Sequence, residues 1–286
     1  MSNMVVRTNV MALNSHRNLG NVARQQSNAS GRLSSGFRIN SGADDAAGLA
    51  ISEGMRAQIR GMNQAARNSQ DGISLIQTAE GYASTITELM QRARELATQG
   101  SNDTNSAAQR VHIQNEMTQI HTEVSRIWNN STFNGQNVFG SGGLLDGSFN
   151  LQVGADTAAA GNVINVVAQI PQISTAATAI TSFAGNASGN TSHANFNAAI
   201  TAINTNIDDI SALRAGLGAV QNRLEFTIDN LNIASENLSA AESRIRDADM
   251  AQEMMRLTQA NVLGQAATAM LAQANQAPQS VLQLLG

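Results

Sequence analysis

The sequence predicts a mainly α fold: a long, coiled-coil-like helical bundle formed by both chain ends, with a small β-hairpin region in the middle. Two observations lead to this prediction. Apolar residues recur in alternating steps of three and four along three long segments, which is the period of packed helices. Between those segments the spacing changes to the alternation typical of strands, beside clusters of Gly and Asn typical of turns.

The N-terminal segment predicts an amphipathic helix. Val6, Val10 and Leu13 fall at positions i, i+4 and i+7, which lie on one face of a helix. Residues 1–43 contain five Arg and no acidic residue.

Residues of about 45–100 predict one long helix or two in series, and residues of about 106–129 predict another. The apolar seams are Leu75, Ala79, Tyr82, Ile86, Leu89, Ala93 and Leu96 in the first, and Ile113, Met117, Ile120, Val124 and Ile127 in the second. Several glycines lie within the first helix: Gly48, Gly54, Gly61, Gly72 and Gly81. Each destabilises a helix by roughly 0.5–1 kcal/mol relative to Ala, so they are either merely tolerated or needed for close helix approach in an assembly.

The segment from about 132 to 167 predicts turns and a β-hairpin. Phe133-Asn134-Gly135 and residues 140–143 have the composition of turns. Phe149, Leu151 and Val153 alternate with polar residues, and a second apolar run follows a Gly-rich stretch at Val163, Ile164, Val166 and Val167.

The C-terminal part carries the longest helical seam. Its positions are Leu213, Leu217, Val220, Leu224, Thr227, Leu231, Ala234, Leu238, Ala241, Ile245 and Ala248. The seam from Leu213 to Ala248 is 36 residues long. A straight helix of this length spans about 54 Å at about 1.5 Å per residue. A further stripe in the last segment comprises Leu257, Val262, Leu263, Met270 and Leu271, followed by Leu282 and Leu285.

Charge is scarce and unevenly placed. Charged residues make up 13% of the chain, and residues 157–207 and 257–286 contain no Asp, Glu, Lys or Arg. The uncharged middle predicts a low-complexity loop, whereas the uncharged C-terminal end keeps its helical period. Amphipathic ends without charged outer faces predict that the two chain ends pair with each other and also pack between chains.

The composition excludes several function classes. A net charge of −4 argues against a general nucleic-acid binder, and the absence of Cys excludes disulfides and thiolate metal sites. No apolar run reaches the roughly 18 residues that a membrane span needs. Phosphate-loop, metalloprotease and serine-hydrolase motifs are absent. His112 and Glu116 share a helical face, but an exposed polar face is the favoured interpretation, so we expect no enzyme activity, cofactor or metal.

Several motifs, in order along the chain, resemble the bacterial flagellin family. The resemblance covers roughly residues 1–156 and 205–286. Its main segments are NVMALNSHRNL (9–19), RLSSGFRINSGADDAAGLAISEGMRAQIRG (32–61), NSQDGISLIQTAEG (68–81), TFNGQNVF (132–139), ENLSAAESRIRDADMAQEM (236–254) and QANVLGQAATAMLAQANQAPQSVLQLLG (259–286).

The resemblance implies a structural subunit whose termini are disordered in the monomer and fold together in the inner core of a filament. It implies five segments: an N-terminal inner-core helix (1–44), outer-core helices with a hairpin (45–168), a short variable loop region (169–204), a C-terminal outer-core helix (205–250) and a C-terminal inner-core helix (251–286). Polymerisation contacts are then expected from the apolar stripes at Val6, Val10, Leu13, Leu257, Val262, Leu263, Met270, Leu271, Leu282 and Leu285.

The implied partners are other copies of the chain in a helical homopolymer, the flagellar export chaperone and export apparatus, and the filament cap and hook-junction proteins. The implied location is the flagellar filament, outside the cell or in a periplasmic flagellum. A hook–filament junction protein, whose chain ends resemble flagellin, is the alternative.

The resemblance also implies recognition by Toll-like receptor 5. The family motif QRVREL is matched by Gln91, Arg92, Arg94, Glu95 and Leu96, with Ala93 as the one departure. Further matching positions are Glu116, Leu217 and Arg223, whereas Gly216 stands where the family often has Asp. The alternative is that Leu96 and Leu217 are core residues and that Arg92 is only a solvated side chain.

Overall fold

The computed structural model describes residues 8–140, 142–145, 149–155, 162–166 and 193–285, with side chains described as far as Gln276. Its elements are α1 (Val10–Ser35), α2 (Ala46–Gly100), α3 (Ala107–Asn130), β1 (Thr132–Phe133), β2 (Gln136–Asn137), β3 (Asn150–Gln152), β4 (Val163–Asn165), α4 (His193–Arg246) and α5 (Met250–Leu285). Packing divides the chain into unit 1 (Met1–Ala57 with Asn237–Gly286) and unit 2 (Gln58–Glu236).

The predicted fold class is confirmed, and one boundary differs. α2 is one continuous helix, which selects the first of the two predicted alternatives. α4 begins at His193, so the prediction of a variable loop up to residue 204 was wrong for residues 193–204. Those residues are helical because Phe196, Ala199 and Ile203 are buried and extend the seam of Leu213 backwards in steps of three and four. The rest of the predicted loop region, residues 169–192, lies outside the described residues.

Unit 2 buries its helical seams in one hydrophobic cluster. The buried positions of α3 are the predicted ones, from Ile113 to Ile127, with Trp128 beside them. Facing residues of α2, such as Ile86 and Met90, are fully buried in the same cluster, as are Leu213 and Leu217 of α4. Each helix thus contributes one apolar stripe to a shared core, as the three-and-four spacing predicts.

Two short antiparallel hairpins pack at unit 2. The first pairs Phe133 with Gln136 around the turn residues Asn134 and Gly135, whose φ angles are 50° and 76°. Positive φ at both central residues is the requirement of a type I′ turn, which Asn-Gly satisfies best. The second hairpin pairs β3 with β4, with Leu151 opposite Ile164, and confirms the predicted hairpin. After the first hairpin, Phe139 stacks on Trp128 with ring centroids 4.8 Å apart.

Four of the glycines of α2 divide into two groups. A Cβ placed at Gly72 would lie 2.5 Å from Cδ2 of Leu151, and one at Gly61 would lie 2.7 Å from Cβ of Ala155. These two glycines therefore allow α2 to approach the second hairpin. Gly54 and Gly81 have nothing within 4 Å of such a Cβ and are merely tolerated there.

One polar residue interrupts the buried seam of α4. Asn206 is buried between Ile203 and Ile210, and its side-chain nitrogen has no hydrogen-bond partner among the described residues. A buried amide without a partner lowers stability by about 1–3 kcal/mol. In packed helices such a residue is known to specify register at the expense of stability.

We expect Gly72→Ala to destabilise unit 2 and Gly81→Ala, on the same helix, to stabilise it. The new methyl at residue 72 would press on the buried side chain of Leu151, and overpacking of this kind costs typically about 1–3 kcal/mol. The methyl at residue 81 meets open space and removes backbone entropy from the unfolded chain, a gain of about 0.5–1 kcal/mol. Urea unfolding followed by circular dichroism measures both; shifts of the same sign would contradict the packing described.

Candidate functional site

Unit 1 is built on the packing of α1 against α5. Asn9 caps the start of α1, since its side-chain oxygen accepts the N–H of Ala12, and its amide nitrogen donates to the carbonyl of Ala274 at 2.7 Å. The side chains of α1 that are at least half-buried mostly recur in steps of three and four, with one gap of seven after Val22: Ala12, Ser15, Leu19, Val22, Ala29, Arg32 and Leu33. The two chain ends therefore pair as the sequence predicts.

The other faces of α1 and α5 expose large apolar side chains. Val10 and Leu13 are 67% and 61% exposed, and Val262, Leu263 and Met270 are exposed on α5. Leu257 and Leu271, by contrast, are half-buried among the α5 residues that face α1, which include Ala260 and Ala274. The predicted polymerisation residues thus separate into an outer set and a set within the helix pair. Val6 and the side chains of Leu282 and Leu285 lie outside the described residues.

The structure adds exposed residues that the sequence prediction missed. Met11, Met250, Met254 and Met255 are all exposed beside the predicted positions. On α5 an open groove of about 540 Å³ is lined by Met254, Met255, Thr258, Gln259, Val262 and Leu263. Exposed Met in a helix with no charge after Arg256 was the available sequence signal. We call Val10, Met11, Leu13, Met250, Met254, Met255, Val262, Leu263 and Met270 together the end face.

A buried carboxylate lies between the paired helices. Glu253 is only 3% exposed, and its Oε1 is 2.7 Å from Nη1 of Arg256 and 3.4 Å from Nη1 of Arg32 on α1. Arg32 also lies 3.6 Å from Asp44. A buried charge needs such partners because its desolvation is otherwise very unfavourable, and Arg32 supplies one of them from α1.

The loops that follow α1 and α4 meet in a short β-bridge between Phe37 and Asp247. The N–H of Arg38 donates to the carbonyl of Arg246 at 2.7 Å, and the Arg246 guanidinium lies 4.8 Å from the ring centre of Phe37. The same guanidinium donates to Glu53 at 2.7 Å, and this hydrogen bond lowers the pKa of the Glu53 carboxyl. These contacts fix the direction in which the chain enters and leaves the long helices.

A second cluster lies on the surface of unit 2. The guanidinium of Arg92 on α2 donates twice to Glu116 of α3, at 2.8 Å and 3.2 Å, and once to Glu95 at 3.2 Å. The Glu116 carboxylate, followed by that of Glu95, raises the pKa of Arg92 above its ordinary value. All three side chains are exposed, so the cluster is a patch of charge on the surface of unit 2.

The structure separates the predicted receptor-recognition residues into two groups. Gln91, Arg94 and Glu95 are exposed beside Arg92, and Arg223 is exposed on α4. Leu96 and Leu217 are buried in the core cluster of unit 2, which agrees with the alternative interpretation for those two leucines. They support the surface from beneath and offer a partner no contact area in this conformation.

Within the described ranges, no group of three or more His, Asp or Glu side chains is placed to hold a metal ion. His112 and Glu116 therefore have no third ligand of this kind there, and Glu116 is engaged by Arg92. Nor does any helix of the described part contain an apolar stretch that could span a lipid bilayer.

Two family models match the chain. The model described as the bacterial flagellin N-terminal helical region matches residues 6–142. The model described as the bacterial flagellin C-terminal helical region matches residues 200–285. Together they cover most of α1 to α5, including the end face and the Arg92 cluster.

Individual proteins match over nearly the whole chain. A flagellin of Halalkalibacterium halodurans is 50% identical over 285 residues, covering 99% of this chain and all of the relative. The flagellar filament 33 kDa core protein of Treponema phagedenis is 44% identical with the same coverage. Among solved structures, a putative flagellar hook-associated protein of Vibrio parahaemolyticus aligns with a TM-score of 0.53 over 71% of this chain and all of that one. Its 14% identity supports the fold alone.

We expect Arg92→Ala and Glu116→Gln to leave the urea midpoint of unit 2 nearly unchanged, because ion pairs between exposed side chains contribute little to stability. Met117→Ala, at the position next to Glu116, removes a buried side chain and should cost about 2–5 kcal/mol. The comparison uses circular dichroism in urea. A large loss of stability from either polar substitution would mean that the Arg92 cluster holds the helices together.

Proposed function

Because the chain belongs to the bacterial flagellin family, we propose that it is the structural subunit of a flagellar filament and acts by polymerising with its own copies. The proposed location is the filament, outside the cell or in the periplasmic space. The function is mechanical and serves motility, so no catalytic step is assigned to it.

The end face is the observation that carries this proposal. A chain by itself leaves Val10, Leu13, Val262 and Met270 in contact with water, although each lies on a helix whose other side is already packed. Burying apolar surface releases roughly 25 cal/mol per Å², so repeated contact between copies is strongly favoured. Contacts between different surfaces of identical copies generate an open helical polymer when the rotation does not close.

Leu257 and Leu271 have a different proposed role from the exposed residues. They lie on the α5 side that faces α1 and stabilise the helix pair that presents the end face. Val6, Leu282 and Leu285 complete the proposed polymerisation set. The Glu253–Arg32 ion pair joins the two helices that carry the exposed residues.

The proposed partners beyond other copies are the export chaperone, the export apparatus, the filament cap and the hook-junction proteins. An exposed apolar end face requires a cover before assembly, which is the role expected of an export chaperone.

The second candidate for the main function is a hook–filament junction protein, the alternative that the sequence leaves open because the chain ends of such proteins resemble those of flagellin. The two candidates differ in the length of the polymer. Electron microscopy of the purified chain tests them, because a filament subunit forms long filaments whereas a junction protein forms short rings or no polymer.

A further proposed role is recognition by Toll-like receptor 5 at the Arg92 cluster. The exposed side chains of Gln91, Arg92, Arg94, Glu95 and Glu116 support it, since four of them are charged and they lie on the surfaces of α2 and α3. Arg223 on α4 is proposed as an additional contact. Leu96 and Leu217 are assigned the positioning of this surface rather than direct contact.

We expect Val262→Glu to abolish long filaments and Val262→Leu to keep them. Burying an unpaired carboxylate between copies is strongly unfavourable, so the concentration needed for polymerisation should rise at least about tenfold. Sedimentation and electron microscopy measure the polymer, and circular dichroism verifies that the monomer keeps its helices. Normal filaments from Val262→Glu would remove residue 262 from the assembly surface.

In a cell-based receptor reporter assay, we expect the wild type to give a response and Arg92→Ala to weaken it by about tenfold or more, as charged residues at the centre of an interface do. Asp103→Ala, an exposed substitution on the loop before α3, is the matched control and should respond like the wild type. A silent wild type, or equal responses from both variants, would refute recognition through this cluster.

A further inference from the structure

The methionines are distributed unequally between the two units. In unit 1, Met11, Met250, Met254, Met255 and Met270 are exposed, with exposed fractions from 48% to 67%. In unit 2, Met62, Met90 and Met117 are buried in the core. Among the described residues, every exposed methionine therefore belongs to the end face.

The exposed methionines of α5 lie in and just before its uncharged segment: Met270 is within residues 257–286, and Met254 and Met255 directly precede Arg256, the last charged residue of the chain. Met254 and Met255 line the groove on α5 together with Val262 and Leu263, and Met270 lies two turns further along the helix. A thioether is apolar enough to be buried against another chain, yet its sulfur is open to small oxidants while it faces water. These methionines can therefore pack against another copy of the chain, and their sulfur atoms can be oxidised while the copy is free.

We propose that Met11, Met250, Met254, Met255 and Met270 are oxidation sites at which hydrogen peroxide stops the free subunit from assembling. The thioether sulfur attacks one peroxide oxygen, so that a sulfur–oxygen bond forms, the oxygen–oxygen bond breaks and water leaves. Sulfur loses two electrons and peroxide gains them. A dithiol-dependent sulfoxide reductase restores the thioether, releasing water as its two thiols become a disulfide.

Oxidation adds polar groups at five of the nine side chains of the end face. Each sulfoxide carries a strong hydrogen-bond acceptor, and burying it between copies without a donor weakens the contact by about tenfold. Residues 257–286 contain no Arg or Lys that could supply a charged donor to such an oxygen. In a completed polymer the same sulfurs are covered, so the free subunit is sensitive and the filament is resistant. This inference rests on the proposed filament function.

The first test maps oxidation by peptide mass spectrometry after brief treatment with hydrogen peroxide. In the monomer we expect sulfoxide at the five end-face methionines well before Met62, Met90 and Met117, which serve as internal controls. In preformed filaments we expect the end-face methionines to react at least about tenfold more slowly. Equal rates for the exposed and buried sets in the monomer, or equal rates in monomer and filament, would overturn the inference.

The second test compares assembly before and after peroxide. For the wild type, peroxide should lower the amount of polymer about tenfold or more, and incubation with a sulfoxide reductase and dithiothreitol should restore it. For the variant with all five end-face methionines changed to Leu, the treated-to-untreated ratio of polymer should stay near one. Met62→Leu, the control at a buried methionine, should lose assembly after peroxide treatment to the same extent as the wild type. Unimpaired assembly of oxidised wild type, or peroxide sensitivity of the fivefold variant, would overturn the inference while leaving the filament function intact. Failure of the untreated wild type to polymerise would overturn both.

Discussion

Each terminal helix carries more apolar surface than one neighbouring helix can cover, and the properties of unit 1 follow from this constraint. The side of α5 that contains Leu257, Ala260 and Leu271 packs toward α1, whereas Val262 and Met270 remain outside. Charged residues on the outer side of α5 would have made that side compatible with water. Because the chain lacks charge there, pairing within the chain and contact between chains use two sides of the same helices.

Unit 2 meets the opposite condition. Its three helices share a closed core, and ion pairs such as Arg92 with Glu116 occupy its surface. The core accepts two unfavourable features, since Asn206 leaves an amide without a partner among the described residues and Gly72 weakens the helix that contains it. Both have a structural use: Gly72 makes room for Leu151, and a buried Asn restricts the registers in which long, repetitive seams can pack.

The sequence predicts the helices well because their period is physical: the residues on the seam of α3 are the buried ones. It predicts the turn at Asn134-Gly135 for an equally local reason, because Asn and Gly are the residues that most readily adopt the positive φ angles that this turn requires. The sequence prediction placed the start of α4 too late because residues 193–204 are rich in Ala, Thr and Asn, a composition typical of a polar loop. In the structure Phe196 and Ile203 are buried in the core, so these residues are helical. The sequence prediction also assigned Leu257 and Val262 to the same polymerisation stripe. Periodicity identifies the apolar residues of a helix, but it does not tell which of them pack within the chain and which remain exposed to other chains. The Arg92–Glu116 pair joins two helices, and only the folded chain brings those side chains together.

Trp128, stacked on Phe139, is the only tryptophan of the chain. Its indole is buried in the core of unit 2, while the end face on α1 and α5 contains no aromatic residue. Intrinsic fluorescence of this protein is therefore a reporter of one unit only. Emission that stays constant as the polymer grows would mean that the subunits join without repacking around Trp128, whereas a spectral change would reveal that assembly deforms a core distant in sequence from the contact itself.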